Sequence, residues 1–154
     1  METKISDFIT EDQILLDYTA KDAEELIESV TKGLLAGATE GKEGQEKLFE
    51  ALKQRESLGS TAIGSGIALP HARMDFIKSI FLGLVRLEEA IEFKAIDRAP
   101  CDLFFFLLAP SGDVGKYLKT LSKISKLLKD PEFPRELREA SDSKMALAAI
   151  QSRD

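Results

Sequence analysis

The sequence predicts an α/β domain with helices on both faces of its sheet, and three observations carry that expectation. Segments with helical periodicity alternate with short strand-like runs from one end of the chain to the other. Two of those runs, SIFLGLVRL (79–87) and CDLFFFLLAP (101–110), are apolar at nearly every position, as strands covered on both sides must be. The chain has 154 residues, of which 44% are apolar and 31% charged, which suits one buried core and excludes a disordered chain.

The elements follow in order. QILLDY (13–18) is a short apolar run suited to a strand. In TAKDAEELIESVTKGLL (19–35) the period changes, with Leu26, Ile27, Val30 and Leu34 on one helical face. Asp22, Glu24 and Glu25 stand early in it, where the positive end of the helix dipole favours acids. AGATEGKEGQ (36–45) is polar and spaced by glycines, which predicts a loop. KEGQEKLFEALKQRE (42–56) resumes helical spacing with Leu48, Phe49 and Leu52 on one side, and should stop near Gly59. IGSGIALP (63–70) reads as a turn and a short strand.

Between the two long apolar strands, IEF (91–93) is expected to pair at an edge. GDVGKYLKTLSKISKLLKD (112–130) places Leu118, Leu121, Ile124, Ser125 and Leu128 along an amphipathic stripe and ends before Pro131. EFPRELREA (132–140) is read as a weak helical turn. SDSKMALAAIQ (141–151) is a terminal helix with Ser141 as its N-cap. The chain shows no internal repeat.

Composition excludes several functions. A net charge of −6 gives no basic face for nucleic acid and disfavours docking on anionic membranes. A single cysteine forms no intramolecular disulfide, and one histidine with one cysteine is too few for a soft-metal cage. METKISDFITEDQ (1–13) is polar and acidic, so no secretory signal is visible. The longest apolar run, LFFFLLAP (103–110), is too short to span a bilayer. A cytoplasmic protein with no metal or organic cofactor is expected.

The stretch RESLGSTAIGSGIALPHAR (55–73) is chemically unusual. It holds the only histidine of the chain, three glycines, a Ser-Thr pair and an arginine at each end. Gly64 and Gly66 bracket Ser65, so the backbone there can take positive φ and present amides to an anion. Pro70 biases Leu69 toward an extended conformation, so that a strand delivers His71 at its end. Arg55, closing the preceding helix, can return beside the imidazole. A neutral imidazole keeps a nucleophilic lone pair, and a phosphoryl group taken onto it brings about two negative charges. Arg55, the Ser60 and Thr61 hydroxyls and the turn amides could meet those charges. The same residues also fit a hydrogen-bonded structural histidine, a common glycine turn and a solvated helix-end arginine, and their chemistry alone leaves both readings open.

The stretch 55–73 resembles the active-site motif of the type-2 enzyme IIA domains of the bacterial phosphoenolpyruvate-dependent phosphotransferase system. These form the fructose, mannitol and nitrogen-regulatory branches. The likeness continues through FKAIDRAPCDLFFFLLAPSG (93–112) and YLKTLSKISKLL (117–128), so residues 8–152 are expected to form one such domain. The resemblance implies a mixed sheet flanked by helices in three layers. It also implies one histidine, His71 here, that accepts a phosphoryl group from an HPr-type histidine phosphocarrier protein. Arg55 falls on the family's arginine beside that histidine, and Ser60, Thr61 and Gly64 fall on the turn around it.

The onward partner is then a IIB component or a regulatory protein target. A stand-alone regulatory IIA of the nitrogen type is favoured over a fructose- or mannitol-specific IIA. The family's second histidine, in a His-Leu-x-x-Leu pattern, is replaced by Tyr117 in KYLKTL (116–121). A phenol hydroxyl makes a hydrogen bond but does not titrate near neutrality. Tyr117 therefore reads either as a site residue or as a packing residue at the helix start. Its presence keeps a rival open, a non-catalytic regulatory binding module that has lost the relay. A phosphate-sensing domain is a third reading.

Other residues are assigned no chemistry. Cys101 is a small buried hydrophobe, and Phe104, Phe105 and Phe106 are core. Asp97 and Asp102 could flank the site, but isolated acids at strand ends are read as solvated caps. Lys123, Lys126 and Lys129 form the wet face of their helix.

Overall fold

Two long strands form the spine of the sheet in the computed structural model, which describes residues 4–58, 60–93 and 99–154. They are β5 (Phe81–Ile91) and β6 (Cys101–Pro110), an antiparallel pair. Around them lie β1 (Ile14–Tyr18), β2 (Ala62–Gly64), β3 (Ile67–Ala68) and β4 (His71–Met74). The sheet order is β1-β5-β6-β3-β2, with β4 also paired to β6. β1 runs parallel to β5, and β3 and β4 run parallel to β6. The sheet is therefore mixed.

Alternation along β6 divides the core. Leu103, Phe105, Leu107 and Ala109 face one side, with α3 (Val114–Lys129), α4 (Glu132–Glu139) and α5 (Ser143–Gln151). Cys101, Phe104, Phe106 and Leu108 face the other, with α1 (Ala23–Lys32) and α2 (Gly41–Leu58). The three layers, the buried Cys101 and the core phenylalanines agree with the sequence reading.

Several expectations are corrected. The loop at 36–45 shrinks, because a 3-10 helix covers Leu34–Ala38 and α2 already starts at Gly41. Gly44 serves close packing instead of breaking the helix: a Cβ there would lie 3.2 Å from the Thr39 side chain. IEF forms no separate edge strand, since Ile91 is the last residue of β5 and pairs with Cys101. On α3 the buried line is Tyr117, Thr120, Ile124 and Leu128, while Leu118 is 53% exposed. Ile124 and Leu128 are buried as expected, whereas at the start of the helix Tyr117 takes the inward place expected of Leu118. EFPRELREA forms the two-turn helix α4. The cap of α5 is Asp142, whose carboxylate accepts from the Met145 amide at 2.8 Å, one residue after the expected Ser141. Asp102 is no solvated cap but an ion pair with Arg138 at 2.9 Å. The polar N-terminal stretch buries Ile5 and Ile9 in the core. Gly59 and Asp97 lie outside the described residues.

Candidate functional site

α2 ends at the site and β4 begins there. Ala62–Gly64 and Ile67–Ala68 make a tight hairpin whose two central residues, Ser65 and Gly66, have φ of 57° and 79°. Positive φ at both positions matches the twist of a two-residue hairpin. Gly66 is enforced a second time, because a Cβ there would meet the Arg138 guanidinium at 2.9 Å. After β3 the chain crosses Leu69 and Pro70 without strand pairing and resumes as β4. The sequence reading put His71 at the end of a strand; it opens a new one, because proline has no N–H to continue a ladder. The Pro70 carbonyl still accepts from the Leu107 amide at 2.9 Å, which sets β4 in register with Leu107 opposite His71.

That jog orients the imidazole. The half-buried His71 ring places Nδ1 2.7 Å from the Leu69 carbonyl oxygen. A carbonyl only accepts, so Nδ1 carries the proton and donates it. The lone pair then resides on Nε2. Burial pushes the imidazole below its ordinary value, the Leu69 carbonyl pulls the other way, and the Arg55 guanidinium adds to the lowering. Arg55, the source of that added lowering, stands in the last turn of α2.

Tyr117 joins them from α3. It is buried, at 7% exposure, with its ring centroid 6.4 Å from that of His71. Burial raises its phenol, while Arg73 and Arg55 pull it down. Arg73 lies over the Tyr117 ring at 5.2 Å, and the sequence reading gave it no role. Residues two apart on a strand share a face, but a strand ending at His71 hid that relation.

The Ser-Thr pair and the glycine turn are placed differently from one another. Thr61 is close, its carbonyl accepting from the Leu69 amide at 3.0 Å. Its hydroxyl donates to Glu56, and its amide donates to the same carboxylate at 3.4 Å. Burial raises Glu56 above the usual carboxylate range, against the two Thr61 bonds and Arg55. The Ser60 hydroxyl donates to the Phe93 carbonyl at 2.6 Å and accepts from the Ala62 amide at 3.0 Å. Both hydroxyl hydrogens are committed inside the fold. Gly64 pairs with Ile67, which lies beside Leu103, four positions along β6 from Leu107. At ~3.3 Å per residue the glycine turn stands about 13 Å along the sheet from His71. Among the described residues no group of three or more His, Cys, Asp or Glu could hold a metal ion. No helix among them is long and apolar enough to cross a membrane.

The arrangement is a neutral imidazole, oriented by a backbone carbonyl and flanked by two guanidinium-bearing elements. The sequence matches the family described as phosphoenolpyruvate-dependent sugar phosphotransferase system, EIIA 2, over residues 7–153. The chain belongs to this family. Among relatives of this IIA-type chain, a nitrogen regulatory protein of Bradyrhizobium diazoefficiens is 38% identical over 108 residues, covering 70% of this chain and 71% of the relative. The crystal structure of nitrogen regulatory protein IIA-Ntr from Neisseria meningitidis superposes with a TM-score of 0.87 at 29% identity, covering 95% of this chain and 98% of that one. The Escherichia coli mannitol IIA enzyme, solved in complex with phosphorylated IIB, gives a TM-score of 0.77 at 19% identity, covering 94% and 97%. At that identity the likeness is one of fold.

A titration checks the electrostatics of the IIA site. Because the folded His71 sits below the ordinary value of about 6.5, its NMR-detected midpoint should fall below that of a free imidazole. The unfolded chain then binds more protons in that window, so stability falls with pH from about 6.5 down through the folded value. Arg55→Met should raise the midpoint toward the ordinary value; an unchanged midpoint would show that the guanidinium does not act on the ring.

Proposed function

We propose that the protein is a IIA phosphocarrier that takes a phosphoryl group onto Nε2 of His71. One observation supports this most directly: Nδ1 is tied to the Leu69 carbonyl at 2.7 Å, which leaves Nε2 unprotonated and oriented. The lowered imidazole keeps that lone pair available at neutral pH. In the step, the Nε2 lone pair forms a bond to phosphorus while the N–P bond of a donor phosphohistidine breaks. The donor nitrogen takes back that electron pair, and the Nδ1 proton stays on Nδ1, still donated to the Leu69 carbonyl. Arg55 meets the charge of the arriving group. Ser60 and Thr61 hold the backbone that carries Leu69 and His71, and Gly64 sets the hairpin.

The donor in this reading is an HPr-type phosphocarrier protein, and the acceptor is a IIB component or a regulatory target. The relatives named nitrogen regulatory proteins, and the higher TM-score to the IIA-Ntr structure than to mannitol IIA, favour the regulatory role. Incubation with phosphoenolpyruvate, enzyme I and the phosphocarrier should add the mass of one acid-labile phosphoryl group, located on Nε2 by NMR. An unchanged mass, or a group on another residue, overturns the proposal.

A further inference from the structure

We propose that Arg73 is a second ligand for the phosphoryl oxygens, a guanidinium held ready beside His71 by the ring of Tyr117. This rests on the reading of His71 as the phosphoryl acceptor and goes beyond it in naming a group that touches the transferred oxygens. The placement follows from strand geometry. His71 and Arg73 are two apart in β4, opposite Leu107 and Ala109, so their side chains leave the same face of the sheet. That face is the one packed by α3, and it brings Arg73 over the Tyr117 ring at 5.2 Å. The same ring lies 6.4 Å from the imidazole.

What singles out Arg73 is that its donors are unclaimed. Arg86 donates to the Leu137, Arg138 and Ala140 carbonyls and pairs with Asp17. Arg135 pairs with Glu132 and Glu139, Arg138 with Asp102, and Arg153 with Glu136. Among the described residues the Arg73 side chain makes no hydrogen bond or ion pair, and its guanidinium rests on the aromatic face of Tyr117. A cation–π contact restrains a guanidinium without using any of its five N–H groups. Those groups form the planar fork that binds phosphate oxygens in pairs. An exposed guanidinium with its fork empty, restrained two positions from a nucleophilic imidazole, is an anion ligand awaiting its anion. Burial of the Tyr117 ring keeps the platform in place.

A structural role would be different. If Arg73 only covers Tyr117, its loss changes stability and leaves phosphoryl chemistry alone. The test uses the full chain and two donors, the phosphocarrier protein and phosphoramidate. With phosphoramidate the N–P bond breaks as the bond to Nε2 forms, and the leaving nitrogen departs as ammonia with its own three protons. Arg73→Ala is expected to slow uptake from both donors by about 10²-fold, the scale for losing one preorganised donor at a charged oxygen. Arg73→Lys should recover part of that rate, because it restores the charge without the fork. In the wild type, the Arg73 Nε–H resonance should shift on phosphorylation.

Full rate in Arg73→Ala with normal uptake by the wild type overturns the role of Arg73 and leaves His71 as acceptor. A lost rate with an Nε–H resonance that ignores phosphorylation also overturns it, since the effect would then be indirect. No uptake by the wild type from either donor removes both the acceptor and its ligand.

Discussion

His71→Ala is expected to abolish phosphoryl uptake while shifting the thermal midpoint by only a few degrees. The two effects separate because of where the ring sits. It is half-buried at the first position of β4, and its Nδ1 donates to the Leu69 carbonyl. Losing such a bond costs about 1 kcal/mol, and a domain of this size loses roughly 3 °C for that amount. The backbone pairing that places residue 71 comes from Pro70, Leu107 and the parallel β4–β6 ladder, none of which involves the imidazole. Chemistry, by contrast, has nowhere else to go, since the chain has one histidine. Mass spectrometry under transfer conditions reads the first effect and calorimetry the second. A variant that still gains a phosphoryl group would sink the assignment.

Phe104→Ala is expected to give the largest loss of stability, about 3–5 kcal/mol of a total near 5–15 kcal/mol. Phe104 is fully buried, packs edge-on against Phe93 at 5.1 Å and stacks with Phe106 at 6.4 Å. Truncation removes the transfer free energy of the ring, leaves a cavity between the sheet and the α1–α2 layer and forfeits the aromatic pair. It also loosens Phe93, whose carbonyl accepts the Ser60 hydroxyl at the start of the segment leading to His71. Urea unfolding should show a midpoint far below the wild type, with Phe104→Leu in between. A loss under about 1 kcal/mol would mean that the site collapses around the gap.

The spine of the fold was legible because β5 and β6 are apolar on both faces, and no other element gives such runs. α1 was legible from its apolar face and early acids; that Asp22 is its cap, accepting from the Glu25 amide at 2.9 Å, is shown by the structure. Less visible were features set by packing. Leu118 and Tyr117 are neighbours on a helix, and which of them faces inward depends on how α3 is rolled against β6. The glycines of 36–45 suggested a loop because sequence does not show Thr39 packed beside Gly44. Asp102 looked solvated because Arg138 is distant in sequence. In the site, His71 and Arg55 stood out through motif and spacing. Arg73 did not, since its relation to Tyr117 exists only after the jog at Pro70 puts residues 71 and 73 on the face covered by α3. The Ser60 and Thr61 hydroxyls looked like free donors because their partners, Phe93 and Glu56, are fixed by tertiary contacts.

The Leu69–His71 contact has one more consequence. A ring moored by its far nitrogen to the main chain needs no rotation to take up or give away its cargo. The loaded and empty proteins would then share one shape and differ at this corner by charge alone. A partner that tells them apart must read that charge, and its preference should fade as ionic strength rises.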